Sequence, residues 1–183
     1  MKNTSFPVFA ILSLLFGCGW LDRSPGKSEQ LFLGIYLGME KKEFFDQCWK
    51  LNSQNIITQG PGNQSVEYRL PVKDKPGILM HFYPNFYKDK IYEMPVVYNY
   101  EAWAPWNRQY WSDKLFEKIV HHYDTTYGKM EVLDHRTMGK VYFRIDGKRR
   151  INVFIKDDQY VQAVFTDLRV ERELKRKMLE NEN

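Results

Sequence analysis

The feature that most constrains the fold is an order of elements that occurs twice, an amphipathic helix followed by several strands. The first helix is predicted over 40–51, because apolar side chains recur there at helical spacing, at Phe44, Phe45, Cys48 and Trp49. The second is predicted over 112–127, with Ser112 and Asp113 suited to its start and Gly128 to its C-terminal cap. An offset of 71 residues places Phe44 on Leu115 and the other three apolar positions on Phe116, Ile119 and Val120. This superposition favours a tandem repeat, although any two amphipathic helices can be aligned in the same way.

Short runs with strand character follow each helix. They lie at 66–72, 77–83 and 90–100 after the first helix, and at 130–133, 140–146, 149–156 and 160–166 after the second. Asp146-Gly147 lies between two alternating runs and is a strong signal for a hairpin with a type I′ turn. Strands joined by such short turns are antiparallel.

The predicted fold class is therefore α+β, with two tandem helix-plus-antiparallel-sheet units, the helices on one face of the sheet, and a C-terminal helix. The expected boundaries are 31–106 for the first unit and 107–183 for the second unit with its C-terminal helix. That last helix, over 167–183, repeats Val170, Leu174 and Met178 on one side, and it is expected to lie against the domain or to bind a partner.

Composition narrows the class of protein. Of 183 residues, 43% are hydrophobic and 27% are charged, which excludes a disordered, collagen-like or multi-span membrane protein. Two cysteines cannot form a disulfide framework in a chain of this length. The formal net charge of +4, or +3 once Lys2 is removed with a leader, is too small to favour nucleic acid as a partner.

The first residues have the character of an export signal. Lys2 precedes an apolar run over 6–16, which as a helix is about 16 Å long, half of the ~30 Å needed to cross a bilayer. A signal peptide over 1–17 fits this length, with small Gly17 before the cut.

The end of that run, Leu15-Phe16-Gly17-Cys18, resembles the lipobox of bacterial lipoproteins, with Phe16 departing from the usual small or β-branched residue. The resemblance implies that Cys18 is the acylated, palmitate-bearing N-terminus of a protein anchored in the cell envelope. Gly19 gives no acidic retention signal, which favours the outer membrane. The alternatives are an ordinary secreted protein with an incidental Cys18 and a buried N-terminal helix. Residues 18–30 are expected to form a flexible tether that reaches at most about 40 Å beyond the lipid.

A second resemblance lies at the start of the first helix. Leu33-Gly34-Ile35-Tyr36-Leu37-Gly38-Met39-Glu40-Lys41-Lys42-Glu43-Phe44 is similar to the Gly-Met-x-x-x-Glu helix start of SmpA/BamE outer-membrane assembly lipoproteins, shared by β-lactamase-inhibitor-protein-like domains. Glu40 replaces the capping Ser or Thr that the family prefers. The resemblance implies a domain of α/β repeats that binds other proteins through its sheet and does no chemistry.

The segment between the two units is rich in aromatic residues. The candidate binding residues, here called the aromatic strip, are Tyr100, Trp103, Trp106, Arg108, Tyr110 and Trp111. Aromatic and arginine side chains of this kind are typical hot spots for protein binding and also suit sugar stacking. Alternatively, the rings wedge the two units together as core.

No motif in the sequence predicts catalysis, a cofactor or a metal site. Cys48 lies in a helical apolar stripe and is predicted to be a buried thiol, and adjacent His121 and His122 diverge too far to share a metal. His81 and His135 add no ligand spacing. Residues 148–150, Lys-Arg-Arg, are expected to form a solvated hairpin rim.

The expected function is a non-enzymatic, membrane-anchored envelope lipoprotein that acts as a protein-binding or assembly module. Its partners would be the membrane, through acylated Cys18, and another envelope protein. The alternatives are a glycan-binding accessory lipoprotein that uses the aromatic strip, and a small hydrolase whose site assembles only in three dimensions.

Overall fold

The computed structural model describes residues 25–72 and 75–181, and the predicted signal peptide, Cys18 and most of the predicted tether lie outside these residues. The described helices are α1 (Lys41–Ser53), α2 (Ser112–Tyr127) and α3 (Leu168–Asn181). The described strands are β1 (Ile57–Gln59), β2 (Val66–Arg69), β3 (Ile78–Phe82), β4 (Asn85–Tyr87), β5 (Lys90–Tyr100), β6 (Glu131–His135), β7 (Gly139–Asp146), β8 (Arg149–Ile155) and β9 (Val161–Asp167). The α+β class predicted from the sequence is confirmed.

All of these strands belong to one antiparallel sheet with the order β1-β2-β3-β5-β9-β8-β7-β6, and β4 pairs with the first part of β5. The last strand of each repeat lies at the centre, where β5 pairs with β9, and the first strands, β1 and β6, form the two edges. Each half therefore runs from edge to centre in chain order, which agrees with two helix-then-strands units.

Helices α1 and α2 cover the same face of this sheet, here called the helical face. Tyr98 of β5 and Tyr123 of α2 share a buried hydrogen bond of 2.9 Å between their hydroxyls. Tyr98 pairs with Met80, Met80 with Tyr68 and Tyr68 with Ile57, so all four point to one side. Ile57 in turn lines a groove beside α1. Helix α3 instead contacts side chains of the opposite face, here called the open face.

The core lies between the helical face and the two helices. Phe165 of β9 is fully buried and touches the rings of Tyr123 and Tyr127 at 5.7 and 5.3 Å between centroids. Phe44 of α1 is equally buried and contacts Phe86. Both repeats thus contribute to a single core, which stabilises them together.

The apolar side of α1 differs from its predicted extent. Phe45 and Trp49 are 40% and 75% exposed, whereas their counterparts in α2, Phe116 and Val120, are buried. The reason is strand length, because β2 has four residues where β7 has eight. Tyr142 of β7 packs against Phe116, and the shorter first unit leaves an uncovered groove at the corresponding rim of α1.

The predicted hairpin at Asp146-Gly147 joins β7 to β8, with Asp146 paired to Arg149. Of its two central residues, Gly147 alone has positive φ, at 58°. A type I′ turn requires positive φ at both, so the turn follows the pattern of type II′.

The prediction that residues 148–150 form a solvated rim is wrong. Arg149 is 3% exposed, its guanidinium lies 5.0 Å from the Tyr127 ring, and it donates a hydrogen bond to the Gln30 carbonyl. Lys148 pairs with Glu29, and Arg150 pairs with Glu171 of α3 at 2.8 Å. The three cations hold separate parts of the chain onto the sheet, including the last residues of the predicted tether.

No helix in residues 25–72 or 75–181 has the length and apolar character needed to span a membrane.

Candidate functional site

The open face of the sheet has an apolar centre with polar neighbours. Across four strands, Pro95 pairs with Val164, Val164 with Asn152, and Asn152 with Phe143, and all four side chains are half-buried. Val97, Gln162 and Phe154 form the neighbouring row. Neighbouring half-exposed apolar side chains that are rimmed by polar residues favour a surface that binds another molecule.

Within the described part of the chain, α3 is the helix that contacts this face, and it does so toward one end. Glu171 is bonded to Arg150, and Glu173 accepts a hydrogen bond of 2.8 Å from Tyr87. These contacts position α3 beside the β4–β5 hairpin and the start of β8, and none of them involves the Pro95–Phe143 row.

A cavity of about 400 Å³ opens around His81 of β3, beside the turn between β8 and β9. His81 is 8% exposed, and its Nδ1 has no hydrogen-bond partner. The nearest carboxylate oxygen to that Nδ1, Glu67 Oε2, lies 3.8 Å away, beyond hydrogen-bond distance. Residues that can donate hydrogen bonds line the cavity, among them Gln64, Ser65, Lys156, Tyr160 and Gln162.

A buried imidazole atom without a partner normally costs free energy, which favours a polar group from a ligand or partner at this point. This arrangement could not be predicted from the sequence, because His81 is a single histidine in a strand and its neighbours come from distant segments. Alternation along β3 places it on the open face, but the cavity depends on the β8–β9 turn and the β1–β2 connection.

The residues of the aromatic strip differ in how deeply they are buried. Tyr100 is 5% exposed and belongs to the core, and Tyr110 packs beside it at 5.5 Å between ring centroids. Trp103 is half-buried and donates a 3.2 Å hydrogen bond to the Asp158 carbonyl. Tyr100 and Tyr110 thus behave as the core alternative predicted, and Tyr100 is not available to a partner because it is buried.

The remaining strip residues lie closer to solvent. Trp106 is 86% exposed, and Arg108 is exposed and stacks 5.0 Å over the half-buried Trp111 ring. Trp106 and Arg108 are thus the strip residues best placed to contact a partner.

The groove beside α1 has a volume of about 480 Å³ and is lined by Phe45, Cys48, Trp49 and residues of β1 and β2. Burial raises the pKa of the Cys48 thiol to about 11. A thiol of this kind is almost entirely protonated at neutral pH, which makes it a weak nucleophile.

The described residues contain no group of three or more His, Cys, Asp or Glu side chains arranged to hold a metal ion. When the chain is compared with protein-family models, curated proteins and solved structures, none of the three comparisons finds a match.

Proposed function

We propose that this chain is a non-catalytic, membrane-anchored binding module of the cell envelope, and that it docks another envelope protein on the open face of its sheet. The observation that carries the proposal is the row Pro95, Val164, Asn152 and Phe143, whose side chains are half-exposed and lie outside the hydrogen bonds that hold α3 to the sheet. Interfaces of standard size bury about 800 Å² on each partner, an area that several neighbouring strands can supply.

The His81 cavity supports a specific rather than a general surface. A partner side chain that enters the cavity would lie beside His81 and meet the hydrogen-bond donors Gln162 and Lys156. Polar contacts of this sort fix the register of a complex, while the apolar row contributes the buried area.

Site-specific photocrosslinking in cells tests the docking face. The crosslinking phenylalanine derivative benzoylphenylalanine replaces Phe143 or Phe154 on the open face, so that one aromatic ring replaces another. Glu117, exposed on α2, is the control position on the helical side. We expect one protein to crosslink from the two open-face positions and not from Glu117. Equal crosslinking from all three positions would contradict the choice of face.

The membrane anchor rests on the Leu15–Cys18 box and has a separate test. We expect a clickable palmitate analogue to label the wild-type protein, and the label to be lost in Cys18→Ala, because acylation requires the thiol. Equal labelling of both proteins would refute the assignment of Cys18 without affecting the docking face.

The alternative function, glycan binding, is favoured by the exposure of Trp106 beside Arg108. Oligosaccharides that stack on Trp106 should quench tryptophan fluorescence in the wild type and less in Trp106→Ala. Trp103→Ala serves as the comparison, since Trp103 is half-buried and bonded to Asp158.

A further inference from the structure

We infer that edge strand β6 pairs with β6 of a second copy of this chain, so that two sheets join in a continuous antiparallel sheet. All five residues of β6 are exposed, which leaves the outer side of the strand open. Protein sheet edges that stay single are normally blunted by charge, proline or short length. Strand β1, the other edge, has only three residues. Strand β6 has five and no proline, and its two acidic residues, Glu131 and Asp134, flank the adjacent apolar residues Val132 and Leu133.

The apolar residues of β6 point to both faces of the sheet. Val132 pairs with Tyr142, whose ring contacts Phe116 of α2, and so it lies on the helical face. Leu133 pairs with Val141 and lies on the open face. They are 57% and 53% exposed. Solvent on both sides of an edge strand does not explain adjacent apolar residues, whereas a further strand would cover part of each.

Among the registers open to two copies of β6, the one centred on Leu133 forms a pair between an acidic residue and a histidine. In a two-fold antiparallel pair, one residue of β6 must lie opposite itself. Centring on Leu133 brings Leu133 against Leu133 and places Glu131 opposite His135 of the other copy. Centring on Glu131 or Asp134 would place two carboxylates opposite each other, which is unfavourable.

The Nδ1 atom of His135 is engaged by backbone groups of its own chain. The backbone N–H of Thr137 and that of Met138 each lie 3.4 Å from its Nδ1. Because Nδ1 accepts these contacts, the neutral ring carries its proton on Nε2, which is then able to donate to a carboxylate. Glu131 of the second copy supplies that carboxylate in the register centred on Leu133.

Disulfide trapping tests the pairing in the full-length protein in its own membrane. Single cysteines are placed at each position from 131 to 135, and the unsubstituted chain, which retains Cys48, gives the background. A residue on the two-fold axis meets its own copy, so Leu133→Cys should give about tenfold more disulfide-linked dimer than its neighbours. A maximum at another position, no dimer at any position, or a disulfide to a different protein would overturn the proposal.

Charge exchange is the second test and does not depend on cysteine chemistry. Glu131→Lys and His135→Glu should each weaken dimerisation about tenfold, because each removes the two symmetric contacts. The double variant restores opposite charges and should recover the dimer. Thermal unfolding of each variant checks that the monomer still folds. Failure of the double variant to recover a dimer while it remains folded would contradict the Glu131–His135 contact.

Discussion

Cys48 shows how a residue's environment decides its chemistry. It is half-buried on α1, and burial raises the pKa of its thiol to about 11. Because the thiolate is the reactive form, we expect iodoacetamide to alkylate Cys48 roughly a hundredfold more slowly than an unperturbed cysteine at neutral pH. Mass spectrometry over time measures the rate, with denatured protein as the reference. Equal rates in folded and denatured protein would contradict the burial of this thiol.

Lys88 and Asp89, at the turn between β4 and β5, both have positive φ, at 49° and 57°. Residues other than glycine pay a steric cost in this region. We therefore expect Asp89→Gly to raise the free energy of unfolding by about 1 kcal/mol, measured by urea denaturation. Asp158→Gly is the matched control, because Asp158 lies in a turn without positive φ and should give no gain.

The turns at Asp146-Gly147 and Lys88-Asp89 show which hairpins could be predicted from the sequence. Asp146-Gly147 contains the glycine that a tight turn favours, and the hairpin there was found. Lys88-Asp89 forms a two-residue turn with positive φ at both positions, as in type I′, but contains neither glycine nor asparagine, so the sequence analysis did not predict β4. Tertiary contacts, such as the hydrogen bond from the Lys41 N–H to the Asp89 carbonyl, hold the less favourable turn in place.

At the scale of elements, α3 is held to the sheet largely by charged side chains. The hydrogen bond from Arg150 lowers the pKa of Glu171, and hydrogen bonds from Tyr87, Lys88 and Lys177 lower the pKa of Glu173 to about 2. No side chain of α3 is fully buried. The attachment of this helix therefore depends on the carboxylates being ionised.

This dependence has a definite sign. A carboxylate whose pKa is lower in the folded than in the unfolded state stabilises the fold at pH values above its unfolded-state pKa of about 4.3. This stabilisation is lost as the pH falls through the pKa of the folded state. We expect α3 to detach from the sheet between about pH 4 and pH 2, as followed by the NMR shifts of its amides. Glu171→Gln should loosen α3 already at neutral pH. Glu180→Gln, a change at an exposed carboxylate near the helix end, should not.

For α1, the helix boundaries could be predicted from the sequence, but the burial of its apolar side could not. Its boundaries agree with the sequence prediction within two residues, but the burial of Phe45 and Trp49 does not. Helical periodicity identifies an apolar side, and only the length of β1 and β2 determines how much of that side is covered. The same limit applies to Arg149, whose burial depends on Tyr127 and Gln30, far away in the sequence.

At the scale of the molecule, the two faces of the sheet should differ in how they tolerate the loss of a ring. Phe165 is fully buried on the helical face, so Phe165→Ala should cost about 3–5 kcal/mol. Phe154 is half-buried on the open face, and Phe154→Ala should cost much less while it weakens binding of the proposed partner. Chemical denaturation followed by circular dichroism and by tryptophan fluorescence measures both effects. Equal costs would contradict the assignment of the two faces.

The same experiment tests whether the repeats unfold together. Because the core contains side chains of both units, the two signals should give a single coincident transition for each variant. The sequence predicted the repeated order of elements. It could not predict that β5 pairs with β9, because antiparallel partners so distant in sequence leave no local pattern.

The contacts of Glu29 with Lys148 and of Gln30 with Arg149 set a limit on distance. If Cys18 carries the lipid, the segment from Cys18 to Pro25 links the lipid to the domain. The seven residues after Cys18 extend at most about 25 Å. The domain would then lie close to the lipid head groups, and its distance from the bilayer surface would be limited to about 25 Å. A protein that it captures must itself come within that zone.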